Sequence, residues 1–117
     1  MKDQGAWNAW RAAATELFND LNAKERGYVE AAFALGEIRR ALSESLMVQQ
    51  HVTVMVIELR GTEEKPRSPG LFAQAIERDI ERLRDDYVEA SEKLSKAYMA
   101  RAVARAAWDE HGKKEPK

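Results

Sequence analysis

The segment LMVQQHVTVMVIELRG, residues 46–61, decides the fold class, because it can be interpreted as a strand or as part of a helix. Its valines alternate with other side chains, and β-branched residues are enriched in strands. A seven-residue repeat favours the helix, since two series of mainly apolar or small side chains, offset by three positions, pass through the segment without a phase break. The first series is Tyr28, Leu35, Leu42, Gln49 and Val56; the second is Ala31, Ile38, Ser45, Val52 and Leu59. No partner strand is evident, so we predict a helix.

Helical patterns also precede this segment. Proline occurs only at three positions, all beyond residue 65, so the first half of the chain lacks that helix breaker. We predict a short helix over about 6–21, with Trp7 and Trp10 on its apolar face. A second helix is predicted over about 23–60, because Asn22 with a glutamate three residues later resembles a capping box.

A connection and a third helix follow. Residues 61–68 are rich in Gly, Thr, Ser and Pro, which predicts a loop. Ser68 and Pro69 suit the start of a helix over about 69–110. Two further heptad series occupy this helix: Ala73, Ile80, Tyr87, Leu94, Arg101 and Trp108, and Ile76, Leu83, Ala90, Ala97 and Ala104. Residues 111–117 are predicted to be a frayed tail.

Together these elements predict a single all-α domain over residues 1–117. Two long heptad helices joined by a short loop indicate a long antiparallel helical hairpin, and the shorter N-terminal helix is expected to fold back over its open end. Aromatic side chains from all three helices would then converge into one cluster that closes this end. Its expected members are Trp7, Trp10, Tyr28, Phe33, Tyr98 and Trp108.

The stretch 46–59 is more apolar than a seam between two helices requires. A helix that is apolar on all sides is normally buried, and the chain has no spare element to cover this one except its first helix. We therefore predict a homodimer that forms a helical bundle, since two-fold dimers are the commonest oligomers. The residues predicted for the dimer or partner interface are Met47, Val48, Val54, Met55 and Ile57, together with Trp7, Trp10 and Phe18 of the first helix. Whichever group forms the dimer leaves the other for a different protein.

Three polar residues accompany the seam in this stretch. Ser45 and Gln49 belong to the two series, and His51 lies beside them. Polar residues in a coiled seam commonly fix register or oligomeric state, which is the role expected here. A metal-binding or pH-sensing role for His51 is the alternative, but no second ligand has a suitable spacing.

Composition narrows the classes of protein further. The net charge is −1, which gives no global attraction to nucleic acid or anionic membranes, and the absence of cysteine excludes disulfides and thiolate sites. We find no signal-peptide pattern and no run of roughly 18 apolar residues that would span a membrane. A cytoplasmic location is therefore expected, and the frequent Ala and Arg suggest a bacterial or phage origin.

Sequence patterns typical of enzymes are missing, including phosphate-binding loops, nucleophile elbows and metal-binding His–Glu motifs. We expect no catalytic residues, cofactor or metal. The predicted function is that of a small protein–protein interaction module, a stoichiometric regulator or inhibitor such as an anti-activator that binds a transcription factor and blocks its dimerisation or DNA binding. One alternative is a DNA-binding regulator, because YVEAAFALGEIRRALSE, residues 28–44, faintly resembles a helix-turn-helix. A purely structural helical hairpin is the other.

Overall fold

Two long α-helices make up the described part of the chain. The computed structural model describes residues 3–60 and 70–116, without the side chains of residues 56–60. Helix α1 spans Gln4–Arg60 and helix α2 spans Leu71–Gly112, and no strand occurs within the described ranges. The all-α prediction is confirmed, and the valine-rich stretch that could have been a strand continues α1.

The predicted break between a helix over 6–21 and another over 23–60 is wrong, because α1 passes through Asn22 without interruption. An asparagine inside a helix costs less than about 1 kcal/mol, and neither proline nor glycine adjoins it, so nothing there is strong enough to end the helix. The heptad series offered the missed signal. Stepping back by seven from Tyr28 gives Leu21, Ala14 and Trp7, so the face assigned to a separate helix is in phase with the seam.

The ends of the helices differ slightly from the predicted ones. Asp3 precedes α1, and its carboxylate accepts a hydrogen bond from the Gly5 amide at 3.0 Å, which satisfies one of the unpaired donors of the first turn. Helix α2 continues through His111 and ends at Gly112, so the helix end predicted at about 110 is two residues too early, and the fraying of the tail stays a prediction. The predicted loop over 61–68, and the start signal at Ser68 and Pro69, lie outside the described residues.

Burial follows the predicted heptad series on both helices. Every series member whose side chain is described is buried or half-buried, whereas the positions opposite the seam are exposed. Polar Gln49 and Ser45 are half-buried like their apolar neighbours, which fits their seam positions. Since side chains seven residues apart lie on one side of a helix, this pattern places the seam along a single stripe of α1 and of α2.

Residue contacts divide the chain into two compact units. The terminal unit contains residues 1–33 and 92–117, and the central unit contains residues 34–91. The prediction of a single domain over 1–117 stays a prediction. The cores of the two units differ in kind. The most buried apolar residues of the terminal unit are Ala14 and Ala104, and those of the central unit are Ile76, Ile80, Leu83 and Ala90.

Candidate protein-interaction surfaces

The outward side of α1 in the central unit carries an exposed apolar stripe. We call Met47, Val48, His51, Val54 and Met55 the outer stripe, because they recur at three- and four-residue steps away from the seam. Met47 is 70% exposed and Val54 is 48% exposed, and the other members are exposed as well. Ile57, predicted for the same interface, lies outside the described side chains. A contiguous apolar stripe that is exposed to water is typical of protein–protein interfaces.

His51 belongs to this outer stripe rather than to the polar seam. Its side chain is exposed, whereas Ser45 and Gln49 are half-buried. One helical turn separates His51 from Met47 on one side and from Val54 on the other. Among the described residues no group of three His, Asp or Glu side chains is arranged to hold a metal ion.

A groove of about 400 Å³ lies between α1 and α2 in the central unit. Apolar Val48, Phe72, Ile76 and Leu83 contribute to its walls. Ion pairs flank it, with Arg40 Nε 3.6 Å from Glu44 Oε1 and Arg82 Nη2 3.1 Å from Asp79 Oδ1. The sequence interpretation did not include Phe72, which is 65% exposed. Phe72 directly precedes the seam residue Ala73. This heptad position could have indicated that the Phe72 side chain flanks the seam on the same side as Val48.

Aromatic side chains form separate layers along the terminal unit instead of the single cluster predicted. Trp10 stacks on Trp7 and on His111, with ring centroids 5.3 and 5.2 Å apart. The ring centroids of Phe18 and Trp108 are 5.4 Å apart, and those of Tyr28 and Tyr98 are 6.0 Å apart. Phe33 is exposed. The cause is the continuity of α1: without a fold-back at residue 22, aromatic residues distant in sequence remain distant along the helix.

Trp10 and His111 are linked by two hydrogen bonds as well as by stacking. The Trp10 indole N–H donates to the His111 carbonyl oxygen at 2.9 Å. His111 Nε2 lies 2.8 Å from the Trp10 carbonyl oxygen, and since a carbonyl can only accept, Nε2 must carry the proton. The His111 carbonyl in the last turn of α2 also accepts a hydrogen bond from the Lys114 amide at 3.0 Å, so the indole is the second donor to this oxygen.

Arg101 occupies a seam position and is held by two tyrosines and a glutamate. Its guanidinium carbon lies 4.4 Å from the centre of the Tyr28 ring and 5.7 Å from that of Tyr98. Its Nε is 3.2 Å from Glu25 Oε2. A planar guanidinium can stack on a ring while its edge meets a carboxylate, which explains how a charged residue is accommodated in the seam.

A second groove opens beside these layers. It has a volume of about 400 Å³ and is lined by Trp10, Arg11, Ala14, Thr15, Phe18 and Trp108. We call it the aromatic groove. A smaller cavity of about 190 Å³ adjoins it, shares Trp10, Ala14 and Trp108, and is bordered by Asp109. Two of the predicted interface residues, Trp10 and Phe18, thus line one groove. Trp7 contacts Trp10 but does not line it.

The segment that resembled a helix-turn-helix contains no turn. Residues 28–44 lie inside α1, which is continuous through Gly36. Arg39 Nη2 donates a hydrogen bond to the Tyr87 hydroxyl at 3.2 Å, and this bond raises the pKa of Arg39. Since the motif requires two helices at an angle, the residues that suggested DNA binding do not form it.

Comparison with other proteins adds no relative. No protein-family profile matches the chain, and neither the curated proteins nor the solved structures gave a match. Neither helix, over its described residues, holds a stretch apolar enough to cross a lipid bilayer.

Proposed function

We propose that this chain is a protein–protein interaction module that self-associates into a helical bundle and acts as a stoichiometric regulator of another protein. The observation that carries the proposal is the outer stripe, an apolar surface whose described side chains are all exposed and of which only Val48 lines the groove beside α2. The shallow core supports it too, since no described side chain is less than 2% exposed. Two helices cannot enclose a core by themselves, and a bundle of four can.

A hairpin is the architecture we propose for each protomer. Contacts in the terminal unit pair Trp10 with His111, Phe18 with Trp108 and Tyr28 with Tyr98. Residue numbers rise along α1 as they fall along α2, which is the order that antiparallel packing requires. Short loops between sequential helices favour the same arrangement.

In the proposed dimer, the outer stripe packs against the same stripe of a second copy. A two-fold axis makes the two surfaces identical, so the stripe must be compatible with itself. Residues 45–57 contain no Asp, Glu, Lys or Arg, so antiparallel pairing of this segment with its copy brings no like charges together. Methionines at both ends of the stripe can adjust their shape to the opposing surface.

Light scattering after size-exclusion chromatography tests the dimer. The wild-type chain is expected to elute with twice its chain mass of 13.3 kDa, and Val54→Glu is expected to elute as a monomer, because it buries a carboxylate in the interface. Val88→Glu is the matched control, since Val88 is an exposed valine on α2 of the same unit. This control should keep the dimer mass. A wild-type monomer, or an unchanged mass for Val54→Glu, would exclude the proposed interface.

A further inference from the structure

The aromatic groove of the terminal unit is an open depression large enough for a side chain. Its floor is Ala14, which is buried, and rings of Trp10, Phe18 and Trp108 stand around this small residue. Phe18 remains 47% exposed although it contacts Trp108. Large side chains around a small one leave a depression, and its volume is within the range of protein ligand sites.

Among the described residues, Arg11 is the one charged side chain in the lining of the aromatic groove. Arg11 lines the groove, and Arg105 lies one turn before Trp108 on α2. Neither makes an ion pair with any described residue. Asp109 borders the adjoining cavity, and Glu25, further along, is engaged by Arg101. The guanidinium in the lining, which has no described ion-pair partner, favours a ligand that brings a carboxylate to it.

The backbone of the groove limits what can bind. Both walls are helices, whose amide and carbonyl groups are already paired within each helix. An incoming segment therefore obtains no main-chain hydrogen bonds from this surface, unlike a strand that joins a sheet edge. A segment that satisfies its own backbone, which means a helix, is the ligand that loses least on binding.

We propose that the aromatic groove binds an acidic amphipathic helix of the regulated protein. A bulky apolar side chain of that helix inserts above Ala14, between the rings of Phe18, Trp10 and Trp108, and a carboxylate of the same helix meets Arg11. This inference rests on the proposed function and names the kind of partner. The groove is in the terminal unit and the outer stripe in the central one, so each can be tested without the other.

Selection from a phage-displayed library of random peptides about 16 residues long, enough to form a helix, tests this proposal. We expect enriched peptides with Trp, Phe or Leu at three- or four-residue spacing and with flanking Asp or Glu. Binding of a synthetic enriched peptide, measured by fluorescence anisotropy, should weaken about tenfold or more in Phe18→Ala, since aromatic anchors dominate such interfaces. Arg11→Glu should weaken it about tenfold through charge reversal.

Arg26→Glu is the matched control, because Arg26 is an exposed arginine of the same helix and unit but does not line the groove. It should leave the affinity within about twofold of the wild-type value. Enrichment of basic peptides, no enrichment at all, or equal losses for Arg26→Glu and Arg11→Glu would overturn the proposal. So would a drop of the chain from dimer to monomer in Phe18→Ala, because a second copy would then occupy the groove. Binding that persists in a monomeric Val54→Glu supports the groove, and a wild-type monomer that still binds the peptide contradicts only the dimer.

Discussion

At the scale of single residues, the link between Trp10 and His111 has a measurable consequence for stability. Trp10→Phe keeps a ring for stacking but removes the indole donor to the His111 carbonyl oxygen. We expect a loss of about 1 kcal/mol in the free energy of unfolding, because water can replace the donor only in part. His111→Ala removes the ring and its own hydrogen bond, and should cost about 1–2 kcal/mol. Urea denaturation followed by circular dichroism, at fixed protein concentration, measures both.

A conservative change elsewhere in the terminal unit provides the reference. Val103 is exposed on α2, and Val103→Ala should change the free energy of unfolding by less than about 0.5 kcal/mol. If Trp10→Phe were no more destabilising than this variant, the indole hydrogen bond would contribute nothing. The link would then depend on ring packing and on the hydrogen bond from His111 Nε2 to the carbonyl oxygen of residue 10.

Arg101 allows a similar comparison between two kinds of interaction. Arg101→Lys keeps the positive charge but loses the planar group over Tyr28, and we expect a loss of about 1 kcal/mol. Glu25→Gln keeps the shape but removes the ion pair, and should cost less than about 0.5 kcal/mol, because the Glu25 side chain is half exposed. Chemical denaturation of both variants measures which of the two losses in the free energy of unfolding is larger. A larger loss for Glu25→Gln would mean that the ion pair, and not the ring contact, holds Arg101 in the seam.

At the scale of elements, the continuity of α1 can be tested through the sign of one stability change. If Asn22 capped a helix, Asn22→Ala would cost about 1 kcal/mol. Inside a continuous helix the same change should stabilise by roughly 0.5 kcal/mol, because alanine has the higher helix propensity. Asn19→Ala is the control, since Asn19 is interior to a helix in either arrangement and should gain a similar amount. Thermal or urea unfolding that shows opposite signs for the two variants would contradict the continuous helix.

The sequence predicted the helices wherever the heptad repeat is present. Two seams with a constant period identified the helical state of residues 46–60 and the half-buried positions on both helices. The break at Asn22 was wrongly inferred because a local capping pattern was given more weight than the repeat, although Trp7, Ala14 and Leu21 continue the series of Tyr28. A heptad pattern over many residues reflects the packing of a whole helix face, whereas one capping box contributes only about 1 kcal/mol to stability.

The candidate surfaces were less predictable than the helices. Apolar residues away from the seam, such as Met47 and Val54, could be identified because exposure follows from the heptad position. The grouping of Trp10, Phe18 and Trp108 around Ala14 could not, since it depends on which residues of α2 lie beside which residues of α1. Sequence spacing gives positions within one helix but not the register between two, and register decides which side chains form a groove.

At the scale of the whole molecule, a proposed dimer makes stability depend on protein concentration. Unfolding of a dimer releases two chains, so a tenfold higher concentration favours the folded state by about 1.4 kcal/mol per dimer. The melting temperature of the wild-type chain should therefore rise by a few degrees for each tenfold increase in concentration. Val54→Glu should melt at a lower temperature that does not change with concentration, because its outer stripe has no second copy to cover it.

Calorimetry over a hundredfold concentration range makes this measurement, with Val88→Glu again as the control that should behave like the wild-type chain. The test separates two reasons for the shallow core. If the melting temperature is independent of concentration and the chain is still well folded, two helices are sufficient, and the outer stripe is then free for a different protein. If it rises with concentration in the wild-type chain and in Val88→Glu but not in Val54→Glu, covering the outer stripe is what stabilises the fold. Dimerisation and folding would then be one equilibrium, and the aromatic groove would be the apolar surface left for a partner.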